Sequence, residues 1–219
     1  MNILGQSITK NGVLLGLFAI VTTGVIAGTY LSTRGLIQDN IRHAEERALL
    51  QIIPKSRHDN SMLDDVDTVA DTELLGLRES KKFYRATLND KFIGAILPAT
   101  ARDGYTGDID MIVGINLNGT IAGVRVLSHR ETPGLGDQVD YKKSHWVDGF
   151  VGKSLSNPSS EKWTVKKDKG VFDQFTGATI TPRAVTAAVH RTLQYFDANR
   201  AIITGLNVAK PSDQEQDHE

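Results

Sequence analysis

The spacing of apolar residues changes character along the chain, and each change predicts a different element. Between Lys10 and Arg34 no residue is charged, and Gly12–Thr33 is predominantly apolar. A run of this length spans a hydrocarbon core about 30 Å thick, which takes about 20 helical residues. Ten of its residues are Val, Leu, Ile or Phe; at roughly 0.3 to 0.6 kcal/mol each they favour insertion by on the order of 3–6 kcal/mol. A cleaved signal peptide is the competing reading, but its apolar region would be about 7–15 residues, followed by a small-x-small site. An uncleaved anchor is therefore expected. Next, Leu36, Ile37, Ile41, Ala44, Ala48, Leu49 and Ile52 recur near helical period over Leu36–Ile53, and Pro54 ends the pattern. Lys55 to about Lys82 is polar and reads as loop with brief structure.

From Phe83 the period becomes two. Phe83–Leu88 and Phe92–Leu97 flank Asn89-Asp90-Lys91, and Ile109–Leu117 and Thr120–Leu127 flank Asn118-Gly119. These predict two hairpins and an antiparallel sheet of about four strands. Asn-Gly is the strongest short hairpin signal, because a two-residue I′ turn needs positive φ at both positions. After a mixed stretch, residues 141–170, with Trp146, Phe150 and Trp163 as core or interface aromatics, Thr181-Pro182 predicts a helix start with Thr as cap. That helix runs to about Asn199, its apolar face carrying Val185, Ala188, Val189, Leu193 and Tyr195/Phe196. The acidic stretch after Pro211 reads as a disordered tail. The fold class expected is α+β. The predicted domain bounds are 1–11 for a short leading segment, 12–33 for the transmembrane helix and 34–82 for a linking helix and loop. A globular domain follows over 83–200, with a C-terminal tail over 201–219.

Composition narrows the chemistry. A net charge of −1 and pI near 6.6, with Lys and Arg scattered, exclude a nucleic-acid interface, which needs a concentrated basic surface. The absence of cysteine excludes thiolate-ligated iron–sulfur clusters and disulfides. No metal site is expected. Gly12/Gly16 and Gly24/Gly28 lie at the GxxxG spacing that lets a partner helix approach within a membrane, although glycine is common in such helices. Lys10 lies before the run; Arg34, Arg42 and Arg47 lie beyond it among Asp39, Glu45 and Glu46, so the positive-inside count does not favour an outside C-terminal domain.

Two glycine-bearing segments hold the candidate chemistry. The first is Asp173-Gln174-Phe175-Thr176-Gly177-Ala178-Thr179-Ile180-Thr181, ahead of the long helix. Hydroxyls, free N–H groups and the positive end of the helix dipole converge there on a place for phosphate. Its spacing is neither a P-loop nor a dinucleotide turn, and a helix capped by threonines is the plainer reading. The second is His129-Arg130-Glu131-Thr132-Pro133-Gly134-Leu135-Gly136-Asp137, a tight loop directly after a strand. A Ser128–His129 hydrolase dyad is discounted, since neighbours on a strand face opposite ways and no G-x-S-x-G elbow exists. No catalytic residue is therefore assigned.

These segments carry a family resemblance. Asp173-x-x-Thr176-Gly177-Ala178-Thr179 is similar to the D-x-x-[S/T]-G-A-T motif modified by flavin transferases. Glu131-Thr132-Pro133-Gly134-Leu135-Gly136 resembles the ETPGLG loop of FMN-binding domains in the G subunits of Rnf/Rsx electron transport complexes. The related C subunit of the sodium-translocating NADH:quinone reductase carries that loop too. Asp103-Gly104-Tyr105-Thr106-Gly107 resembles the DGYSG segment of the Rnf branch. Thr176 and Thr106 stand where Ser is commoner, keeping the hydroxyl. The resemblance covers about residues 10–199.

The resemblance implies FMN covalently attached by a phosphoester to Thr179, with Thr176, Gly177, Ala178 and Thr181 lining the phosphate. Asp173 would be a recognition element for the transferase. Glu131, Thr132, Pro133, Gly134, Leu135 and Gly136 would pack against the isoalloxazine ring, with His129 and Tyr105 as neighbours. It further implies a single-pass protein of the bacterial inner membrane with a periplasmic soluble domain. Its partners would be the other membrane and redox subunits of an ion-translocating ferredoxin:NAD oxidoreductase, with a flavin transferase for maturation. The chain would relay electrons as one subunit of a translocase, without turning over a substrate of its own. The alternative from another class is a membrane-anchored, non-redox module that binds a phosphate ligand or serves assembly.

Overall fold

Pro54 is the first proline in the chain, and no residue before it stops a helix. In the computed structural model, which describes residues 2–205, helix α1 accordingly runs unbroken over Asn2–Ile52. The anchor and the linking helix expected as separate elements are one helix, and it begins ahead of residue 12. The predicted tail lies outside the described residues from 206 onward. Residues up to Arg47 form one unit and those from Ala48 a second.

Within the first unit the apolar side chains, such as Leu15, Phe18, Ile20 and Val25, are exposed. The stretch from Ile8 is long and apolar enough to cross a membrane. Four of its hydroxyls are satisfied on the helix itself: Thr22, Thr29, Ser32 and Thr33 donate to the carbonyls of Phe18, Val25, Gly28 and Thr29 at 2.8–2.9 Å. That spares them an unmet hydrogen bond in hydrocarbon.

The second unit is built on an antiparallel meander of β1 (Val66–Val69), β2 (Lys81–Leu88), β3 (Lys91–Ala101), β4 (Ile109–Asn116) and β5 (Ile121–Ser128), ordered β1-β2-β3-β4-β5. The expected four strands are β2–β5; β1 is an added edge strand drawn from the polar stretch. Helix α2 (Ile180–Ala198) covers one face, where Leu97, Met111, Val113, Val185, Val189 and Phe196 join one core. On the other face Leu49, Ile52 and Ile53 pack with Met62, Tyr84, Ile96 and Ile112. Because both faces are covered, β3 is buried without interruption from Gly94 to Ala101, where strict alternation would expose every second residue. Gly114 and Gly123 are register partners on β4 and β5. A Cβ on Gly114 would collide with Cγ2 of Ile52, and one on Gly123 would reach the Ile52 Cα at 3.4 Å. The glycine pair is the seat of Ile52.

The turns differ from expectation. Both Asn89 (φ 51°) and Asp90 (φ 58°) adopt positive φ, so the I′ geometry sits between β2 and β3. In Asn118-Gly119 only Gly119 is positive, at φ 81°. The link is wider there: Asn116 N–H donates to Thr120 O at 2.8 Å, and the Asn118 side chain accepts from Thr120 N–H and O–H at 3.1 and 2.7 Å. Past α2, the short helix α3 (Arg200–Ile203) continues the packing beyond residue 200. Ile203 is 2% exposed and its carbonyl accepts from Arg85 Nε at 2.8 Å.

Candidate functional site

Antiparallel pairing brings the end of β3, the start of β4 and the end of β5 to one edge: Ala101 pairs with Ile109, and Asp110 with Ser128. The loops that leave this edge, residues 102–108 and 129–136, wall a cavity of about 340 Å³ together with the N-terminus of α2. That volume lies within the range of small-molecule sites, about 300–1,000 Å³. Tyr105, Glu131, Thr132, Leu135 and Gly136 line it from the loops; Gly177, Ala178, Thr179, Ile180 and Thr181 line it from the motif. Tyr105, Leu135 and Ile180 keep 67%, 41% and 43% of their surface exposed, so apolar surface surrounds the opening.

The loop after β5 is held by its own bonds. The Thr132 carbonyl accepts from the N–H groups of Leu135 and Gly136, both at 3.1 Å, and Gly134, at φ 77°, donates its N–H to the Asp137 carboxylate at 2.8 Å. His129 accepts the Glu131 N–H at Nδ1, 3.1 Å. The motif before α2 makes a turn in which Ala178 N–H donates to Phe175 O at 3.1 Å and Gly177 has φ 81°, the positive φ that a type II turn needs at its third residue. Buried Phe175 packs edge-on against Trp146 at 5.1 Å, and Trp146 Nε1 donates to the Asp173 carbonyl at 2.8 Å. The turn is therefore pinned on the side away from the helix.

Thr179 occupies the cap position of α2 without making a side-chain cap bond. It is half-buried, and it lines the cavity. Thr181, expected as the cap, lies one residue inside the helix. It is fully buried and gives its hydroxyl to Glu131 Oε2. Glu131 itself is 4% exposed, and its Oε1 accepts from both the N–H and the O–H of Thr106 at 3.1 Å. Glu131 therefore lines the cavity while its carboxylate is bonded to Thr106 and Thr181.

Thr176, Pro133 and Gly134 are exposed at turn tips outside the cavity lining. His129, half-buried, is outside the cavity lining. Asp173 is exposed and paired with Lys166 at 2.5 Å. Ile180 and Thr106 were not singled out from sequence. Ile180 stands between two threonines that drew attention, and Thr106 was read only as part of a resembling segment.

The cavity has a further chemical trait: among the described residues that line it, none is Lys or Arg. The cation nearest the motif along the chain, Arg183, forms a bidentate pair with Asp168 at 2.7 and 3.1 Å, which holds the Asp168 carboxyl below its ordinary value. What the cavity offers an anion is hydroxyl, peptide N–H and the end of a 19-residue helix. This donor set, with the space Gly177 leaves and an apolar rim, fits a phosphate joined to a flat apolar ring.

Comparison with known proteins bears on the same regions. The family pattern described as FMN-binding domain matches residues 104–194, and that described as RnfG N-terminal region matches residues 1–52. A Pseudomonas aeruginosa protein, named as the G subunit of an ion-translocating oxidoreductase complex, is 48% identical over 195 residues, covering 89% of this chain and 91% of its own. Proteins of the same name from Pseudoalteromonas atlantica and Aliivibrio fischeri are 44% and 43% identical, over 90% and 87% of this chain and 92% and 91% of theirs. Among solved structures, NqrC of Shewanella oneidensis is similar over 65% of this chain and 75% of that one, at 20% identity and TM-score 0.42. At the identity and coverage of the three named relatives, the chain belongs to the family of G subunits of Rnf-type ion-translocating oxidoreductase complexes.

Proposed function

We propose that the chain is the membrane-anchored flavoprotein component through which an Rnf-type complex relays electrons, carrying FMN covalently on Thr179. The observation that carries this reading is the Thr179 hydroxyl. It stands half-buried, without a capping bond, in a cavity at a helix N-terminus lined by no cationic side chain. A doubly charged phosphate monoester held only by neutral donors and a helix dipole would be held weakly, each such contribution being about 0.3–1 kcal/mol. A phosphodiester to the chain carries one charge fewer and cannot dissociate.

In the attachment step the Thr179 oxygen attacks the flavin-proximal phosphorus of FAD. The new bond is Thr179 O–P, the bond that breaks is the pyrophosphate P–O, the leaving group is AMP, and the hydroxyl proton goes to solvent or to the transferase. Exposed Asp173 is the element a flavin transferase would read beside the turn. When bound, FMN supplies one- and two-electron redox chemistry. The chain's residues would then hold and shield it: the α2 N-terminus and the Gly177–Thr179 peptides would steady the phosphate, and Tyr105, Leu135 and Ile180 would keep water from the ring. The chain turns over no substrate itself and depends on the other membrane and redox subunits as donor and acceptor. The domain lies on the periplasmic side of the inner membrane, a placement supported by family resemblance.

The test is flavin fluorescence in a denaturing gel after exposure of the full-length chain to FAD and a flavin transferase. Wild type is expected to fluoresce and Thr179→Val to be dark. Fluorescence in both would move the bond to another residue, and fluorescence in neither would favour a non-redox phosphate-binding module. Protease added to spheroplasts is expected to cleave the soluble domain; protection would place it in the cytoplasm.

A further inference from the structure

The hydrogen bonds that join the three segments walling the cavity all end, among the described residues, on one carboxylate. Thr106 N–H and O–H, from the β3–β4 loop, reach Glu131 Oε1 at 3.1 Å each. Thr181, in the first turn of α2, donates to Oε2. Glu131 makes no ion pair among the described contacts, and its charge is met by neutral donors alone. The chain also gives up a side chain to admit it. A Cβ on Gly136 would lie 2.7 Å from Oε2 and 2.8 Å from Thr181 Oγ1. At Gly104 the Gly107 carbonyl is the nearer obstacle, 2.2 Å from a Cβ, with Oε1 at 3.0 Å. Gly136 is thereby explained by the room the carboxylate and its partner need, independently of any ligand.

We propose that Glu131 is a positioning residue: its carboxylate latches the first turn of α2 to both loops and so sets where the Thr179 hydroxyl stands for flavin transfer. The proposal rests on the reading of Thr179 as the attachment site. Thr181 lies two residues beyond Thr179 on the same turn, so fixing its side chain fixes the rotation of the turn. A hydroxyl that must meet a phosphorus in line is sensitive to displacements of about 1 Å. Hydrogen bonds to an ionised group are also roughly twice as strong as neutral ones, and a carboxylate left buried without them is costly. One group at the meeting point of three segments therefore controls the site through the segments it joins.

The experiment uses the full-length chain in detergent with two readouts. The first is the initial rate of covalent labelling from FAD and a flavin transferase. The second is amide hydrogen exchange of the unlabelled protein. Glu131→Gln and Thr181→Val are each expected to slow labelling by about tenfold or more, and the double variant no more than the slower single, since both remove the same link. Thr181→Ser, which keeps the hydroxyl, is expected to label near the wild-type rate. Exchange in Glu131→Gln should quicken at residues 104–107 and 178–183 and stay unchanged across β2–β4. Labelling of Glu131→Gln at the wild-type rate overturns the latch. So does quickened exchange throughout the sheet, which would mark a general loosening. If Thr179→Val still labels, the attachment reading falls, and the exchange pattern, which needs no flavin, decides the latch alone.

Discussion

Arg125 and Glu131 lie six positions apart, both carry a buried charge, and they serve different ends of the molecule. Arg125, 8% exposed on β5, donates Nε to the Gln51 side chain at 3.0 Å and Nη1 to its neighbour's carbonyl at 2.7 Å, with its guanidinium 3.6 Å above the Tyr141 ring. Gln51 belongs to the helix end seated on the Gly114–Gly123 pair, while Tyr141 and Asp148, the latter 3.8 Å from Nη1, belong to the segment after β5. Glu131, just past the same strand, binds only hydroxyls and one peptide N–H from the segments around the cavity. The lesson is that a buried charge tightens whatever its partners belong to. At Arg125 that is the junction of the helix end, the sheet and the segment carrying Tyr141 and Asp148, hence stability; at Glu131 it is the wall of a site, hence function. Both regions also use glycine for the same steric reason, close approach, at Gly114 and at Gly136.

Perturbations should separate the two. Gly136→Ala gives the largest effect: its Cβ would push apart Glu131 and Thr181, so covalent labelling should fall by at least about tenfold while the circular dichroism of the sheet stays native. Retained labelling would mean the loop yields without cost. On the other face, Gly114→Ala should overpack Ile52, costing about 1–3 kcal/mol. That corresponds to about 2–4 °C in Tm for each kcal/mol at this size, with labelling of the folded protein unchanged. A slowed labelling rate there would show that the two regions are coupled.

Arg125→Lys keeps the charge but loses the planar fork and the stacking on Tyr141. It should lower stability by about 1 kcal/mol in denaturant titrations and leave labelling alone.

The smallest effect concerns His190, which stacks on Trp163 at 5.1 Å and 11°. Burial, assisted by the Arg191 charge, pushes its pKa below 6.5. The unfolded chain therefore binds the proton more readily. The contribution of neutral His190 is complete above about pH 6.5 and is lost as the pH falls through the depressed folded value. Between pH 7.5 and 5.5 wild type should lose slightly more stability than His190→Gln. Equal losses would show that the imidazole is protonated in the fold without penalty.

Much of this was legible along the chain. The helical course of α1 and α2 follows from apolar period and from where prolines stand, although α1 was expected as two helices. The positions of β2–β5 follow from two-residue patterning and the turns between them, although β3 is buried on both faces. Local signals misled where several turns satisfy one dipeptide: Asn118-Gly119 supports a wider loop closed by the Asn118 side chain, while Asn89-Asp90 takes the I′ geometry. The strand β1 escaped notice because Asp67 and Thr68 are exposed on an edge and break the alternation. The Glu131 loop was recognisable as a segment that binds something, but which of its atoms face the cavity was not.

The sequence by itself determined the anchor-length helix, the antiparallel sheet, the helix after the Thr-Gly-Ala-Thr turn and the candidate segments, all set by short-range periodicity and turn chemistry. Only the tertiary structure decided that Thr181 is consumed inside the protein while Thr179 stands free at the cavity. The deciding partner, Glu131, lies 50 positions from Thr181 and 25 from Thr106. Contacts over such separations are chosen by how strands and helices assemble, and no local pattern of residues encodes them.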